Sequence, residues 1–181
     1  MKKRIIALGL LWCLSAVMLQ AARVDTVLVR SAAMNKDVKV VYVLPDKAIG
    51  KQACPVVYLL HGYGGNARSW VQLKPELPQM ADEKGIIFVC PDGKNSWYWD
   101  SPENPAYRYE TFVTSELVKY TDGNYATIPD SKARAISGLS MGGHGALWSA
   151  IRHKDVFGAA GSMSGGVDTV SYTHLTLPTK R

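Results

Sequence analysis

The segment Gly138-Leu139-Ser140-Met141-Gly142-Gly143 places one serine between closely spaced glycines. The run Ala133–Ser137 before it is typical of a strand, and the stretch after it is typical of a helix. On a tight strand-to-helix turn a serine hydroxyl protrudes and can attack a carbonyl carbon, because the glycines leave room for the backbone to close. The amides that begin the helix favour the negative charge formed on attack. The segment predicts Ser140 as a nucleophile.

A second glycine-rich segment, His61-Gly62-Tyr63-Gly64-Gly65, follows the apolar run Val56–Leu60. Where a serine turn of this kind acts on esters, the loop after such a strand supplies one amide of an oxyanion hole, and the residue after the nucleophile supplies the other. We therefore expect the backbone N–H groups of Tyr63 and Met141 to form this hole. His61 is expected to be structural, since the base in that arrangement follows the serine in chain order.

Three consecutive aromatic residues, Trp97, Tyr98 and Trp99, lie in the segment Pro91–Pro102. This segment follows the apolar run Ile86–Cys90, so it is expected at the same sheet edge as Ser140. Aromatic side chains in such a loop suit an acyl or aryl pocket. The alternative is that they only cover the edge of the sheet.

The spacing of apolar residues predicts the elements that position these groups. The β-rich stretches Val24–Arg30 and Val38–Leu44 predict an antiparallel strand pair. Short apolar runs then alternate with longer amphipathic stretches, which predicts an α/β fold with a mostly parallel sheet. The predicted parallel strands are Val56–Leu60, Ile86–Cys90, Ala133–Ser137 and Gly158–Met163, and the predicted helices are Trp70–Lys84, Tyr109–Tyr120 and Gly142–His153.

The charge of the chain is concentrated at its ends. The net charge is +6, but five of the basic residues are Lys2, Lys3, Arg4, Lys180 and Arg181. The remaining chain is nearly neutral, which argues against a nucleic-acid partner. The three N-terminal charges precede an apolar run and small residues at 21–22, the order of a secretory signal peptide. We predict that residues 1–22 are a signal peptide, that this is the only part of the chain directed to a membrane, and that the mature protein is periplasmic or extracellular. The alternative is that the apolar run is a permanent membrane anchor.

Export favours disulfides, yet Cys54 and Cys90 are not expected to form one. If the two runs that they flank are parallel strands of one sheet, the cysteines lie at opposite sheet edges, roughly 16 Å apart. A disulfide requires Cα atoms about 5.5 Å apart. Two buried free thiols are predicted.

Together, His61–Gly65, Pro91–Pro102, Tyr109–Leu117 and Gly138–Gly143 resemble the esterase D family, which has the α/β-hydrolase fold. The resemblance covers about residues 24–166, and it is greatest to secreted tributyrin-esterase-like bacterial enzymes. It implies ester hydrolysis by a Ser-His-Asp triad, with no metal and no organic cofactor. The implied substrate is a small-molecule or polysaccharide-linked ester.

The partners of Ser140 in such a triad are hard to find in this chain. His144 and His153 lie on the helix that follows Ser140 and are not expected to reach it, and Asp168 comes one strand and helix earlier than the family acid. Residues 170–179, which include His174, resemble a translated sequencing adapter; a short natural strand is the alternative. We predict residues 23–168 to be the N-terminal part of an α/β-hydrolase domain truncated at its C-terminal side. Residues 169–181 are predicted to be a non-native tail.

The sequence favours an exported serine carboxylesterase with an acyl-enzyme on Ser140. As given, the chain is expected to be inactive, because the triad Asp and His are predicted to lie outside it. An exported acyltransferase, in which an alcohol replaces water, is the alternative. A binding protein on a hydrolase scaffold is a further alternative, against which the intact serine turn argues.

Overall fold

The computed structural model describes residues 22–167, which form one six-stranded sheet with helices on both faces. Residues 1–21 of the predicted signal peptide (1–22), Asp168 and the segment 169–181 with His174 lie outside the described residues. Within residues 22–167, no helix is long and apolar enough to cross a membrane.

The sheet has the spatial order β1-β2-β4-β3-β5-β6. The hairpin of β1 and β2 is antiparallel, and β2 also pairs antiparallel with β4, whereas the other pairs are parallel. Both the antiparallel opening pair and the four parallel strands are therefore confirmed. The strands are β1 (Arg23–Ser31), β2 (Lys36–Leu44), β3 (Val56–Leu60), β4 (Ile87–Pro91), β5 (Arg134–Leu139) and β6 (Ala159–Met163).

The helices match the predicted stretches, with two interruptions. Trp70–Lys84 is divided at Lys74-Pro75-Glu76, because proline cannot continue a helix interior. Tyr109–Tyr120 contains a π-helical turn at Phe112–Glu116, which the apolar spacing alone does not indicate. The α-helices are α1 (Asp46–Ile49), α2 (Ser69–Leu73), α3 (Leu77–Lys84), α4 (Tyr109–Thr111), α5 (Leu117–Asn124) and α6 (Met141–Arg152), and Ser131–Ala133 is 3₁₀-helical.

Two apolar clusters hold the layers together, one on each face of the sheet. Alternate strand residues such as Tyr42, Tyr58 and Ile136 pack against α5 and α6, whereas Val41 and Phe88 pack against α2 and α3. This alternation follows from the two-residue period of a strand. β6 lies at the edge of the sheet, and most of its side chains are exposed.

Cys54 and Cys90 are buried free thiols, as predicted. Burial raises the pKa of the Cys90 thiol to about 12. A thiol with so high a pKa is a poor nucleophile.

Candidate active site

Ser140 occupies a tight turn between β5 and α6. Its backbone has φ 53° and ψ −117°, and the residue is exposed at the carboxyl end of β5. Its N–H donates to the Met163 carbonyl at 2.8 Å, which ties the turn to the neighbouring strand β6. A positive φ at a residue with a Cβ costs on the order of 1–3 kcal/mol, so the surrounding structure must enforce it. The strand-to-helix context is the one predicted from the sequence.

Two glycines permit this turn because the backbone has no space for a Cβ at either position. A Cβ built on Gly138 would lie 2.3 Å from the carbonyl carbon of Gly142. A Cβ built on Gly142 would lie 2.1 Å from the carbonyl oxygen of Leu60. The first turn of α6 therefore crosses directly over the ends of β3 and β5, which fixes the position of Ser140.

The loop His61–Gly65 lies beside Ser140, at the same edge of the sheet. A Cβ built on Gly62 would be 3.6 Å from the Cβ of Ser140. The Gly65 N–H donates to the Gly62 carbonyl at 3.0 Å, and Gly64 has φ 76°, which is a type II turn around Tyr63. Within residues 22–167, neither the Tyr63 amide nor the Met141 amide donates a hydrogen bond. Neither predicted oxyanion-hole donor is therefore committed to an acceptor among these residues.

The buried side chain of His61 supports this loop through its two ring nitrogens. The side chain is 2% exposed; Nδ1 lies 2.7 Å from the Gly62 carbonyl, and Nε2 accepts from the Gly93 amide at 2.9 Å. This pattern requires a neutral ring with the proton on Nδ1. The Asp92 carboxylate 3.7 Å from Nε2 is therefore a neighbour, not an ionic partner. His61 is structural, as expected.

Asp92 instead binds Lys94. Its carboxylate accepts from the Lys94 backbone amide at 3.0 Å and from the Lys94 ammonium at 2.8 Å. Burial acts to raise the pKa of Asp92, but its polar contacts with the His61 ring and with Lys94 together outweigh burial and hold the pKa well below its usual range. The charged pair fixes the start of the loop that carries the three aromatic residues.

Tyr98 does not line a pocket, which corrects the prediction made for it. The residue is fully buried, and Cβ atoms built on Gly93 and Gly145 would lie 2.3 Å and 2.6 Å from its ring. Its hydroxyl accepts from the His61 amide at 3.0 Å. Burial raises the pKa of Tyr98 well above its usual range, so it stays neutral. The two glycines form a slot for the ring, and this slot is not apparent from a run of three aromatics.

Trp97 and Trp99 remain partly exposed and surround His144. Their ring centroids lie 5.5 Å and 5.4 Å from the imidazole centroid. Trp97 and Tyr98 have φ of 56° and 61°, so the loop is strained at two successive residues. This loop follows β4 and lies at the Ser140 edge, as predicted.

The histidines that follow Ser140 within the described range are engaged elsewhere. His144 Nε2 accepts from the Trp99 indole N–H at 2.8 Å, and Nδ1 lies 2.7 Å from the Gly166 carbonyl. His153 Nε2 lies 2.9 Å from a Glu110 carboxylate oxygen, at the far end of α6. Neither ring makes a hydrogen bond with Ser140, in agreement with the expectation. Residues 22–167 contain no cluster of three or more metal-ligating side chains.

A cleft of about 660 Å³ lies away from Ser140, where α6 ends. Glu110 is its most buried acidic residue and accepts from Trp148 and Arg152, both at 2.8 Å. Burial acts to raise the pKa of Glu110, but these bonds and the His153 contact hold it below its usual value. Arg152 lies eleven positions after Met141 in α6, which is about 16 Å along the helix axis. The cleft is thus a separate feature from the serine turn.

The profile of the family described as "Putative esterase" matches residues 31–175. The match extends into the segment 169–181, whose predicted non-native origin stays a prediction. An acetyl esterase of Caldicellulosiruptor saccharolyticus is 29% identical over 136 residues, covering 70% of this chain and 50% of the relative. The diacylglycerol acyltransferase/mycolyltransferase Ag85A of Mycobacterium gordonae is 34% identical over 155 residues, covering 80% of this chain and 43% of the relative.

Solved structures show the same architecture. A ferulic acid esterase superposes with a TM-score of 0.71 at 30% identity, covering 81% of this chain and 61% of that protein. The six-stranded, mostly parallel sheet is therefore that of an α/β-hydrolase, as the resemblance implied. The chain spans about a quarter to a half of the length of the curated relatives it matches.

Proposed function

This chain belongs to the Putative esterase family of α/β-hydrolases, and we propose that it acts as a serine carboxylesterase with Ser140 as the nucleophile. One observation carries the proposal: Ser140 is exposed on a strained turn beside two amides without acceptors among residues 22–167. Such strain is retained where function requires it. The turn matches the serine nucleophile turn of this fold.

In the proposed reaction the Ser140 hydroxyl attacks the ester carbonyl carbon and gives its proton to a base. The Tyr63 and Met141 amides donate to the oxygen on which negative charge develops, and each such donor contributes about 2.7–4 kcal/mol to transition-state stabilisation. The C–O bond then breaks, the alcohol leaves with the proton, and Ser140 carries the acyl group. Water attacks this acyl-enzyme and releases the acid.

The base and its carboxylate are proposed to lie outside residues 22–167. His144 and His153 both have other partners, and the helix that carries them extends away from Ser140. The remaining sources are residues 168–181, which include Asp168 and His174, and any sequence that follows in the natural reading frame. We propose that the base and its carboxylate lie in the sequence that follows in the natural reading frame, so the 181-residue chain is expected to be inactive.

Substrate and location are likewise proposals. Two relatives are named acetyl esterase and ferulic acid esterase. We therefore propose acetyl and feruloyl esters, free or linked to polysaccharide, as the substrates to test. Cleavage near residue 22 would deliver the enzyme to the periplasm or the medium. N-terminal sequencing of the protein recovered from those fractions tests this directly.

Hydrolysis is tested with the protein expressed from its full natural reading frame, on p-nitrophenyl acetate, p-nitrophenyl butyrate and methyl ferulate. We expect turnover that Ser140→Ala abolishes. Ser149→Ala, which removes a buried hydroxyl on the same helix, should keep it. Residual activity of Ser140→Ala equal to that of Ser149→Ala would contradict the proposal.

The second candidate function is acyl transfer. It is supported by the similarity to the acyltransferase Ag85A, which is 34% identical over 155 residues. In that case an alcohol, not water, takes the acyl group from Ser140. Adding a sugar or glycerol acceptor to the assay distinguishes the two. Formation of a new ester at the expense of free acid would identify a transferase.

The predicted inactivity of the 181-residue chain is tested with residues 23–181 alone. We expect no ester hydrolysis above background, because removing the base of a triad costs about as much as removing the whole triad. Turnover that is lost on His174→Ala would instead show that His174 is the base and that the tail is native.

A further inference from the structure

One buried imidazole connects two loops that flank the serine turn. His144, four residues after Ser140, is 8% exposed. Its Nε2 accepts from Trp99, on the loop after β4, and its Nδ1 lies at donor distance from the carbonyl of Gly166, after β6. In the sheet β4 and β6 lie on opposite sides of the pair β3–β5, and Ser140 follows β5. A single ring therefore joins the two sides of the site.

The ring has no freedom to take another role. A neutral imidazole has one donor and one acceptor nitrogen, and both are used here. The ring also stacks on Trp148, with centroids 6.1 Å apart and planes at 20°, and the planes of Trp97 and Trp99 lie at 79° and 66° to it. Rotation of the ring would break both hydrogen bonds and this packing.

We infer that His144 is a positioning residue that fixes the two walls of the acyl site by holding Trp99 and Gly166 at a constant separation. The inference rests on the proposed esterase function. Trp99 is partly exposed, and its indole N–H donates to His144 Nε2. This hydrogen bond sets the orientation of the indole plane. A pocket wall held in place stabilises larger acyl groups more than small ones, because they have more surface in contact with it.

Three substitutions separate the two hydrogen bonds. His144→Asn places an amide nitrogen near the position of Nδ1, so it keeps a donor for Gly166 and loses the acceptor for Trp99. His144→Gln reaches the position of Nε2, so it keeps the acceptor for Trp99 and loses the donor for Gly166. His144→Phe retains a ring against Trp148 and loses both bonds.

The first readout is hydrogen exchange of the Trp99 indole N–H, followed by NMR in the protein expressed from its full natural reading frame; this measurement does not depend on catalysis. We expect slow exchange in the wild type and in His144→Gln, and fast exchange in His144→Asn and His144→Phe. Equally fast exchange in the wild type and in His144→Phe would overturn the inference. Should His144→Phe fail to fold, the Asn and Gln variants still give the comparison.

The second readout is the steady-state kinetics of the protein from its full natural reading frame. For His144→Asn we expect KM for p-nitrophenyl butyrate to rise about tenfold, as for one lost hydrogen bond, with a smaller rise for the acetate and little change in kcat. His144→Gln should recover most of the butyrate affinity. Equal losses on both esters, carried by kcat, would overturn the positioning role. Absence of hydrolysis by the wild type would refute the proposed function and the substrate role of His144, while the exchange result would still report on the Trp99 bond.

Discussion

Substitution of Gly142 by alanine tests whether the crossing of α6 over β3 sets the serine turn. The new Cβ would lie 2.1 Å from the Leu60 carbonyl oxygen, 2.5 Å from the Leu60 carbonyl carbon and 2.7 Å from the His61 carbonyl oxygen. All three are backbone atoms of the sheet edge, so no side chain can rotate away. Ordinary van der Waals contact begins at about 3.4 Å, so relief requires α6 and β3 to separate by about 1.3 Å.

Overpacking of this kind typically costs 1–3 kcal/mol, and a backbone clash belongs at the upper end, so we expect the free energy of unfolding to fall by about 3 kcal/mol. The same displacement moves the Met141 amide, and a misplacement of about 1 Å at a reacting centre can lower the rate about 100-fold. The prediction therefore has a stability part and a catalytic part.

Urea denaturation of residues 23–181 measures the stability part, and ester hydrolysis by the full natural reading frame measures the catalytic part. Gly123→Ala is the matched control, because a Cβ at this exposed position in α5 has no atom within 4 Å. That change should stabilise the fold by about 0.5–1 kcal/mol, as expected for glycine in a helix. A Gly142→Ala variant as stable and as active as Gly123→Ala would refute the close-crossing argument.

Three further predictions concern buried groups. Cys54 and Cys90 should not react with Ellman's reagent at pH 8 in folded residues 23–181, and both should react after denaturation, since burial raises the pKa of each. Glu110→Gln should lower the free energy of unfolding by about 1–3 kcal/mol at pH 7. Because the folded pKa of Glu110 is lowered, its ionic contribution is present above the unfolded value of about 4.3 and is lost as pH falls through the folded pKa, so the difference in urea midpoints should shrink below about pH 4. Tyr98→Phe keeps the ring in its slot but leaves the His61 N–H unpaired, so we expect a loss of about 1–3 kcal/mol in thermal denaturation, whereas an unchanged midpoint would contradict the assigned hydrogen bond.

The serine turn and the strands could be predicted because their signals are local. Gly138, Ser140 and Gly142 satisfy a steric requirement that few residue types meet, and short runs such as Val56–Leu60 have the composition of buried parallel strands. The predicted bounds of β3 match the structure, and those of the other parallel strands differ by one or two residues. The sheet edge on which both loops meet follows from strand direction alone.

Other features depend on tertiary packing and could not be predicted from the spacing of residues. Tyr98 enters the interior because Gly93 and Gly145, distant in sequence, leave a slot for its ring. The sequence indicates that His144 does not reach Ser140, but its connection to Trp99 and Gly166 depends on where two separate loops end. The π-helical turn at Phe112–Glu116 likewise has no signature in the apolar period.

The central claim, that Ser140 carries the acyl group, is tested most directly by the intact and peptide masses of the protein expressed from its full natural reading frame. The protein is mixed with p-nitrophenyl butyrate and quenched in acid within the first turnover. We predict a mass increase of one butyryl group on the tryptic peptide that contains Ser140, and no such increase in Ser140→Ala. A butyryl group found on a residue other than Ser140 during turnover would contradict the account. So would a Ser140→Ala variant that hydrolyses the ester as fast as the wild type.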